Sequence, residues 1–334
     1  MQKTSSLAID ISHIETAAQR LLGQAVRTPL LRSPDLEKAT GATAAFIKPE
    51  VLQRTGSFKF RGAFNKLAAA KSANPSLRQV VAYSSGNHAQ GVAAAAGLLG
   101  LSATIVMPQD APQAKIRNTK QLGAEVVLYD RWHQSREEIA ADIAAKTQAL
   151  IVPPYDDPDI IAGQGTVGLE IVQDLQKMGL GANIVIAPCS GGGLIAGIAT
   201  AIRHHFAQAE IYAAEPEGYD DLARSLAAGT QVANEGTTPS ICDALMAKQP
   251  GRLTFPIHQA LLAGSLAVPD EAALSAMAFA FDRLKLVVEP GGAVALAAAL
   301  GQKLDFSGKT VVVVCSGGNV DAVMMTRALS RPSA

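Results

Sequence analysis

The sequence predicts an α/β protein whose mainly parallel, twisted sheets are flanked by helices and divided between two domains. From about residue 42 onward, short runs rich in β-branched residues alternate with alanine-rich segments of helical length. This alternation is typical of strand–helix–strand units, which build parallel sheets through right-handed crossovers. The chain of 334 residues is also long enough for two domains of ordinary size. The predicted strands span residues 44–47, 80–83, 103–107, 126–129, 184–187, 211–214 and 311–315.

The predicted helices follow these strands in order, because each run of β-branched residues gives way to an alanine-rich segment. They span residues 57–71, 88–99, 112–122, 135–147, 160–178, 193–206, 272–284, 291–302 and 319–329. The segment 229–258 has weak periodicity and many Gly, Pro and Thr residues. We therefore expect it to be a long connection over the surface.

Residues 75–152 contain three consecutive strand–helix units that end near Pro153. This pattern indicates a small domain inserted into a larger one. The expected organisation is a discontinuous large domain, residues 1–74 and 153–334, with a small domain at 75–152.

The composition argues against two classes of partner. Lys+Arg and Asp+Glu both number 29, so the net charge is zero, and nucleic acid or an anionic membrane is an unexpected partner. Charged residues make up 17% and hydrophobic residues 48% of the chain, which requires a large core or a subunit interface. We expect a homodimer.

The sequence also favours a cytoplasmic location. The first residues lack an apolar stretch of signal-peptide length, and the alanine-rich segments near 92–100 and 293–300 are too short to span a bilayer. Cys189, Cys242 and Cys315 match neither a metal nor a disulfide spacing, which fits a reducing compartment.

A lysine lies at the start of the first of these helices, directly behind a Gly-Ser turn. The segment T-G-S-F-K-F-R-G, residues 55–62, places Lys59 in the first turn, and Ser57 can cap that helix. The helix dipole disfavours the ammonium form there, and burial would lower the pKa of Lys59 further. Such an amine is nucleophilic and can hold an aldehyde as a Schiff base. The alternative is a surface lysine that begins an ordinary helix.

Polar, glycine-rich loops follow three predicted strands, at the strand ends where parallel α/β sheets bind their ligands. The converging N–H groups and the helix dipole of the second loop suit a phosphate, although that loop lacks the G-x-G-x-x-G and P-loop patterns. A tight strand-to-helix turn is its alternative. The loops are S-S-G-N-H-A-Q-G at 84–91, S-G-G-G-L at 190–194 and S-G-G-N at 316–319.

The first of these loops could hold a small carboxylate, because hydroxyls and N–H groups meet at a helix start. A helix cap made by Ser84 or Ser85 is the alternative reading. His88 could equally be a structural histidine.

Four motifs in this order resemble those of one enzyme family. T-G-S-F-K-x-R-G-A, S-S-G-N-H, S-G-G-G-L and a C-terminal S-G-G-N are similar to the motifs of tryptophan-synthase-β-like (fold type II) pyridoxal-phosphate (PLP) enzymes, in particular the serine/threonine dehydratase and serine racemase branch. The resemblance runs from about Thr28 to Asp321. The resemblance implies the tryptophan-synthase-β-like fold, PLP as the cofactor and a small amino acid as the substrate.

The resemblance also assigns a role to each motif. It implies that Lys59 holds the cofactor aldehyde and moves the substrate α-proton, while the Ser316 hydroxyl meets the pyridine nitrogen. A neutral hydroxyl there limits the ring as an electron sink and favours β-elimination. Phe58 would pack near the ring, and Asn87 would hydrogen-bond its phenolic oxygen. The phosphate would be bound by Ser190, Gly191, Gly192, Gly193 and Leu194, and the substrate by Ser84, Ser85, Asn87, His88 and Arg136.

The implied activity is that of a PLP-dependent ammonia-lyase, which eliminates water from L-threonine or L-serine to give a 2-oxo acid and ammonia. Ser85 stands where racemases place the catalytic acid for the face opposite the lysine, so serine racemase activity stays open. Pro153 and Tyr155 depart from the His-Pro-Asn of the racemases, and Ala244 replaces a usual glycine. These departures leave the substrate open.

Arg136 raises a further alternative, 3-hydroxyaspartate dehydratase, because it matches an arginine near the racemase active site. A guanidinium could bind a second carboxylate through two hydrogen bonds. An ion pair with Glu137 or Glu138 on a helix surface would equally explain this arginine. From another class, a non-catalytic nucleotide- or phosphate-binding protein could use the glycine loop, but it would have no need of Lys59 or Ser316.

The segment A-E-P-E-G-Y-D-D, residues 214–221, resembles the divalent-cation site of the racemase branch. Glu215 and Asp221 match its carboxylates, and the Tyr219 carbonyl matches its backbone ligand. Two carboxylates, a carbonyl and waters suit Mg²⁺ or Ca²⁺. A solvated acidic turn is the alternative.

Overall fold

Two β-sheets organise the chain in this computed structural model, which describes residues 7–84, 86–111, 113–235 and 240–330. One sheet has six strands in the order β1-β2-β10-β7-β8-β9, and the other has four in the order β5-β4-β3-β6. Within the described residues the strands are β1 (Leu31–Arg32), β2 (Ala44–Pro49), β3 (Gln79–Tyr83), β4 (Ser102–Pro108), β5 (Glu125–Tyr129), β6 (Leu150–Ile151), β7 (Ile184–Pro188), β8 (Glu210–Pro216), β9 (Gly264–Val268) and β10 (Thr310–Cys315).

The six-stranded sheet is parallel except for the antiparallel edge strand β1. Its central strands β7 and β10 pair in the register Val312↔Val185, and hydrophobic clusters cover both faces of the sheet. A parallel strand that is buried on both faces reads as a continuous apolar run rather than an alternating one. The four valines of β10 follow this rule.

The helices of the described residues cover both sheets, and their ends follow ordinary capping chemistry. Asp157 caps α7 through the N–H groups of Asp159 and Ile160, and Ser135 caps α6. The helices are α1 (Ile11–Leu21), α2 (Pro34–Thr40), α3 (Lys59–Ala73), α4 (Asn87–Leu98), α5 (Gln113–Gln121), α6 (Arg136–Thr147), α7 (Pro158–Lys177), α8 (Gly193–His205), α9 (Asp221–Ala228), α10 (Thr254–Leu261), α11 (Asp270–Phe279), α12 (Pro290–Leu300) and α13 (Ala322–Leu329).

The four-stranded sheet is built from residues that lie between 79 and 151, and it is parallel throughout. Its apolar cluster also takes in α3 and α4, so the small sheet packs against the lysine-bearing helix. The domain boundaries at 74/75 and 152/153 remain our proposal.

All seven predicted strands are present, but several elements differ from the predictions. The short strands β1, β6 and β9 and the helices α1, α2, α9 and α10 were not predicted. The predicted cap by Ser57 is wrong, because α3 begins at Lys59 with Phe58 as its uncapped N-cap residue. Ser57 instead forms an isolated β-bridge with Gly317.

The predicted surface connection at 229–258 is also wrong in its last five residues. Residues 254–258 begin α10, and the side chains of Thr254 and His258 are fully buried. This helix was not predicted from the sequence, because the two polar side chains on its inward face weaken its hydrophobic periodicity.

Candidate active site

A cavity of about 300 Å³ is lined by residues from the loops that follow three strands. Ser84 follows β3, Ser190 follows β7 and Ser316 follows β10, while Lys59 enters from the start of α3. Ser85 lies outside the described residues. The predicted residues that line the cavity are Phe58, Lys59, Ser84, Asn87, His88, Arg136, Ser190, Gly191, Gly192, Gly193, Leu194 and Ser316.

Lys59 is half-buried, and its Nζ atom donates a hydrogen bond to the Pro154 carbonyl at 2.8 Å. The same atom lies 5.1 Å from the centre of the Phe58 ring. Burial lowers the pKa of Lys59 to about 8 from its ordinary value of 10.5. A much larger share of this amine is therefore neutral, and able to act as a nucleophile, than for an exposed lysine at the same pH.

A buried ionic network fixes the first turn of the helix that carries Lys59. Arg61 is 1% exposed, and it donates to Glu50 after β2 and to Glu170 of α7, at 2.8 and 2.7 Å. Lys48 also donates to Glu170, at 2.6 Å. Because every charge in this network has an opposite partner, the cluster ties α3 to β2 and α7 without leaving a buried charge unpaired.

The glycine loop at 190–194 passes between two packed side chains. Gly192 has a φ of +92°, a left-handed conformation that glycine adopts without strain. A Cβ atom at Gly192 would collide with the His258 ring, and one at Gly191 would collide with the Tyr155 ring. Only glycine fits at these two positions, and their backbone reaches the cavity wall.

Asn87 is held in place by two polar side chains. Its side-chain amide nitrogen donates to Glu289, and its oxygen accepts from Asn319 at 2.7 Å. Glu289 is 3% exposed and lines the cavity, and burial raises the pKa of its carboxyl to about 7. Sequence reasoning missed this carboxyl, although an acidic residue before the Pro290 that opens an alanine-rich helix was visible in the sequence.

His88 is buried, and its Nε2 atom lies 3.0 Å from the Val152 carbonyl. Burial lowers the pKa of the ring to about 3, so the ring is neutral. Because a carbonyl only accepts, Nε2 carries the proton and Nδ1 is left as a bare acceptor. The side chain therefore cannot donate to a carboxylate, and only the backbone N–H of His88 is suited to that task.

Arg136 lies at the margin of the cavity, where its side chain is 46% exposed. Its guanidinium lies 5.3 Å from the centre of the Tyr83 ring, and its Nε atom bonds Glu137 at 2.8 Å. The ion pair expected of a surface arginine is present. The same side chain also lines the cavity. The geometry of Arg136 therefore agrees both with a surface ion pair and with a role in binding a substrate carboxylate.

Other residues in the cavity wall were not predicted from the sequence. Tyr155 and Gln164 line the cavity, as do Lys115 of α5 and Asp243, which form an ion pair with each other. Distant positions in the chain meet here, and no local motif marks them.

The two carboxylates of the predicted metal site are buried, whereas Glu217 in the turn between them is exposed, so the segment is only partly solvated. Glu215 and Asp221 are both 0% exposed, and Tyr219 is buried. Glu215 accepts hydrogen bonds from the N–H groups of Leu222 and Ala223, whereas Oδ2 of Asp221 has no partner among the described residues. Within that part of the chain, no group of three or more His, Cys, Asp or Glu side chains is placed to hold a metal ion.

The described residues also contain no helix with both the length and the apolar character to cross a membrane.

A lysine of lowered pKa beside a glycine loop and a polar strand-end loop defines the class of site that binds an aldehyde cofactor carrying a phosphate. The sequence profile described as "Pyridoxal-phosphate dependent enzyme" matches residues 21–317. The chain therefore belongs to this family.

Named relatives and a solved structure agree with this membership. The chain is 41% identical over 323 residues to an L-threonine ammonia-lyase of Thermotoga maritima, covering 97% of this chain and 79% of that protein. It is 44% identical over 310 residues to an L-threo-3-hydroxyaspartate ammonia-lyase of a Pseudomonas species, covering 91% and 93%. The structure of maize serine racemase matches with a TM-score of 0.89 and 36% identity, covering 97% of each chain. The predicted fold class is confirmed.

Proposed function

We propose that this protein is a PLP-dependent ammonia-lyase that removes water from a small L-β-hydroxy amino acid, with L-threonine and L-serine as the default substrates. The observation that carries the proposal is Lys59, an amine with a pKa of about 8 that lines a cavity shared with a phosphate-type glycine loop. The relatives named as ammonia-lyases support the same reaction class.

The residues of the cavity fit the parts of PLP. Lys59 would hold the cofactor aldehyde, the loop of Ser190 to Leu194 would bind the phosphate through its N–H groups, and Ser316 would meet the pyridine nitrogen. Phe58 would pack near the ring, and Asn87, fixed by Glu289 and Asn319, would reach the phenolic oxygen. Gly191 and Gly192 support this fit, because a side chain at either position would collide with a neighbouring ring, so that bare backbone forms the cavity wall there.

Bound PLP withdraws electrons from the substrate Cα and so makes its α-proton acidic. Lys59 would remove that proton, since its lowered pKa keeps part of the amine neutral near pH 7. The neutral Ser316 hydroxyl would limit electron withdrawal by the ring, which favours β-elimination of the substrate hydroxyl.

The start of α4 would bind the substrate carboxylate. Ser84, Asn87 and the backbone N–H of His88 meet at the positive end of this helix and line the cavity. Ser85, which lies outside the described residues, would bind the carboxylate with them. The His88 ring would contribute indirectly, by fixing the 152–154 segment whose Pro154 carbonyl accepts from Lys59.

A second candidate function is 3-hydroxyaspartate ammonia-lyase. The observation that favours it is Arg136, whose side chain lines the cavity at the same margin as Ser84. The Pseudomonas relative named for this activity supports the candidate as well. Serine racemase is a third candidate, with Ser85 as the proton donor on the face opposite Lys59.

We also propose that Glu215, the Tyr219 carbonyl and Asp221 bind Mg²⁺ or Ca²⁺ in the turn after β8. The proposal is supported by Oδ2 of Asp221, a buried oxygen without a partner among the described residues, because a cation would satisfy it. If so, EDTA lowers the melting temperature and added Mg²⁺ or Ca²⁺ restores it. An unchanged melting temperature in both media would reject this site.

A homodimeric and cytoplasmic enzyme completes the proposal. Hydrophobic residues make up 48% of the chain, which suits a surface that a second subunit covers. The three buried cysteines are unpaired, as expected in a reducing compartment. Sedimentation velocity at micromolar concentration measures the oligomeric state directly.

Two measurements test the function. The purified protein should be yellow, and borohydride should bleach it and fix the cofactor to the single peptide that contains Lys59. A substrate panel with L-threonine, L-serine and both 3-hydroxyaspartate diastereomers should then release 2-oxo acid. A colourless protein that binds phosphate compounds without labelling Lys59 would instead indicate the non-catalytic alternative.

A further inference from the structure

Helix α10 lies against the glycine loop and supplies hydrogen-bond donors to two of its carbonyl groups. The Thr254 hydroxyl donates to the Gly191 carbonyl at 2.7 Å, and the Gly251 N–H donates to the same oxygen at 3.1 Å. The Nε2 atom of His258 lies 3.1 Å from the Gly192 carbonyl. Both side chains are 0% exposed, so these contacts exclude water.

These bonds fix the direction of the loop's N–H groups. In a trans peptide unit the carbonyl and the following N–H point in opposite directions. Since the Gly191 carbonyl is held toward α10, the N–H of Gly192 is turned away from it. The Gly192 carbonyl has the same effect on the N–H of Gly193. Both of these glycines line the cavity, so the donors of α10 direct the loop's N–H groups into it.

The peptide unit between Gly191 and Gly192 needs this support most. The Gly192 carbonyl also accepts from the N–H of Ala196 at 3.0 Å, as the first bond of α8, whereas the Gly191 carbonyl lies outside the helix. Gly192 tolerates both signs of φ, so this unit could rotate and present its carbonyl oxygen to the cavity. Such an oxygen would repel an anion.

The chemistry of His258 suits the same task. Burial lowers the pKa of its ring to about 4, so the ring is neutral and brings no charge to the loop. Its partner only accepts, so Nε2 carries the proton, and Nδ1 has no partner among the described residues. The ring also fills the space on the side of Gly192 where a Cβ atom would lie.

We propose that Thr254 and His258 are positioning residues for the cofactor phosphate, acting through the carbonyl groups of Gly191 and Gly192. The inference rests on the proposed phosphate binding by residues 190–194. It extends the site by two buried side chains that do not line the cavity.

The test compares PLP with pyridoxal, which has the same ring and aldehyde but no phosphate. Thr254→Val, which removes the hydroxyl at nearly constant volume, should raise the Kd for PLP about tenfold, as expected for one lost hydrogen bond. The Kd for pyridoxal should stay within about twofold. Thr254→Ser should restore PLP binding. His258→Leu should likewise weaken PLP binding selectively, and His258→Gln, whose amide can donate from a similar position, should recover most of it.

Thr200→Val is the matched control, because the Thr200 hydroxyl is also buried and donates to a carbonyl of α8, at Ala196, outside the loop. It should change neither Kd. Equal losses for PLP and pyridoxal in the Thr254 and His258 variants would overturn the inference, because both residues would then be merely structural. Unchanged binding of both ligands would overturn it too, while leaving the phosphate loop intact.

The ³¹P resonance of bound PLP gives a second readout, and it should shift in Thr254→Val but not in Thr200→Val. If Thr254→Val fails to fold, the inference is tested with His258→Leu and His258→Gln, by comparing their Kd values for PLP and for pyridoxal. A wild-type protein that binds PLP no more tightly than pyridoxal would reject the phosphate loop itself, and the positioning residues with it.

Discussion

The six-stranded and the four-stranded sheet each contribute loops to the cavity, but their loops are fixed by different kinds of contact. On the six-stranded side, buried hydrogen bonds from α10 hold the glycine loop, and the Arg61 network holds the helix of Lys59. On the four-stranded side, Asn87 and helix α5 reach the larger sheet through three side-chain pairs. These pairs are Asn87–Glu289, Asn87–Asn319 and Lys115–Asp243.

This difference indicates that the glycine loop and the helix of Lys59 are fixed before any ligand arrives, whereas Lys115 and Asp243 of the partly exposed pair can exchange their polar partners. A buried network costs several kcal/mol to break on one side only, but a partly exposed ion pair contributes about 0–1 kcal/mol. Substitutions on the six-stranded side should therefore change cofactor retention. Substitutions on the four-stranded side, apart from those at the proposed cofactor-binding residue Asn87, should change KM while the cofactor stays bound.

The largest effect is expected for Lys59→Ala. This substitution removes the amine that would both hold the cofactor aldehyde and remove the substrate α-proton. We expect kcat to fall by at least about 10⁴-fold and borohydride labelling to disappear, while the melting temperature of the cofactor-free protein stays nearly constant. Lys66→Ala is the control on the same helix, because Lys66 pairs with Asp157 at 2.8 Å and does not line the cavity. Turnover by Lys59→Ala close to that of the control would contradict the assignment.

Arg136→Ala should have the next largest effect, and only on a dicarboxylic substrate. Its side chain is 46% exposed, so its pairing with a second carboxylate is only partly desolvated. We expect kcat/KM for 3-hydroxyaspartate to fall about 10- to 100-fold and that for serine to change less than about threefold.

Arg131→Ala is the control, because Arg131 pairs with Asp110 nearby without lining the main cavity. If Arg136→Ala lowers kcat/KM equally for all substrates, the residue serves the structure of the four-stranded side. If it changes none of them, the dicarboxylate candidate loses its support.

Glu289 joins the six-stranded side to Asn87 of the four-stranded side. The titration of its carboxyl should make the free energy of unfolding depend on pH. Burial raises the pKa of its carboxyl from 4.5 to about 7. The folded protein therefore binds more protons than the unfolded chain between these values, and this group's contribution to stability falls as the pH rises through that window. Glu289→Gln keeps an acceptor for Asn87 but cannot titrate.

Urea unfolding of the cofactor-free proteins at pH 5 and pH 8 measures this effect. Relative to Glu289→Gln, the wild type should lose up to about 3 kcal/mol between the two pH values. A constant difference between the two proteins would mean that Glu289 is already ionised at pH 5.

The sequence predicted the parts of the site that local chemistry encodes. Lys59 behind a Gly-Ser turn, the three strand-end loops and the central strands all follow from short-range patterns and from the rule that parallel strands end at a common edge. Thr254, His258 and Glu289 escaped prediction because each acts on a residue more than 60 positions away in the chain. The Ser57 cap failed for the same kind of reason, since pairing with Gly317 competes with capping.

The smallest effect, and the sharpest test of the comparison, is expected for the Lys115–Asp243 pair. Lys115 is 14% exposed and Asp243 is 49% exposed, so water and salt screen the pair, and its contribution is about 0.2–1 kcal/mol. Because the pair joins α5 to the turn beside the cavity, we expect Lys115→Met to raise KM about two- to fivefold. The Kd for PLP and kcat should hardly change.

Salt provides an independent check on this last prediction. The wild-type KM should rise with ionic strength toward that of Lys115→Met, whose own KM should respond less. The double variant Lys115→Met/Asp243→Asn should resemble the single variants, as a coupled pair requires. Lys120→Met, an exposed lysine of the same helix, is the control and should match the wild type. A change in PLP affinity in Lys115→Met would break the comparison, because helix α5 would then take part in holding the cofactor.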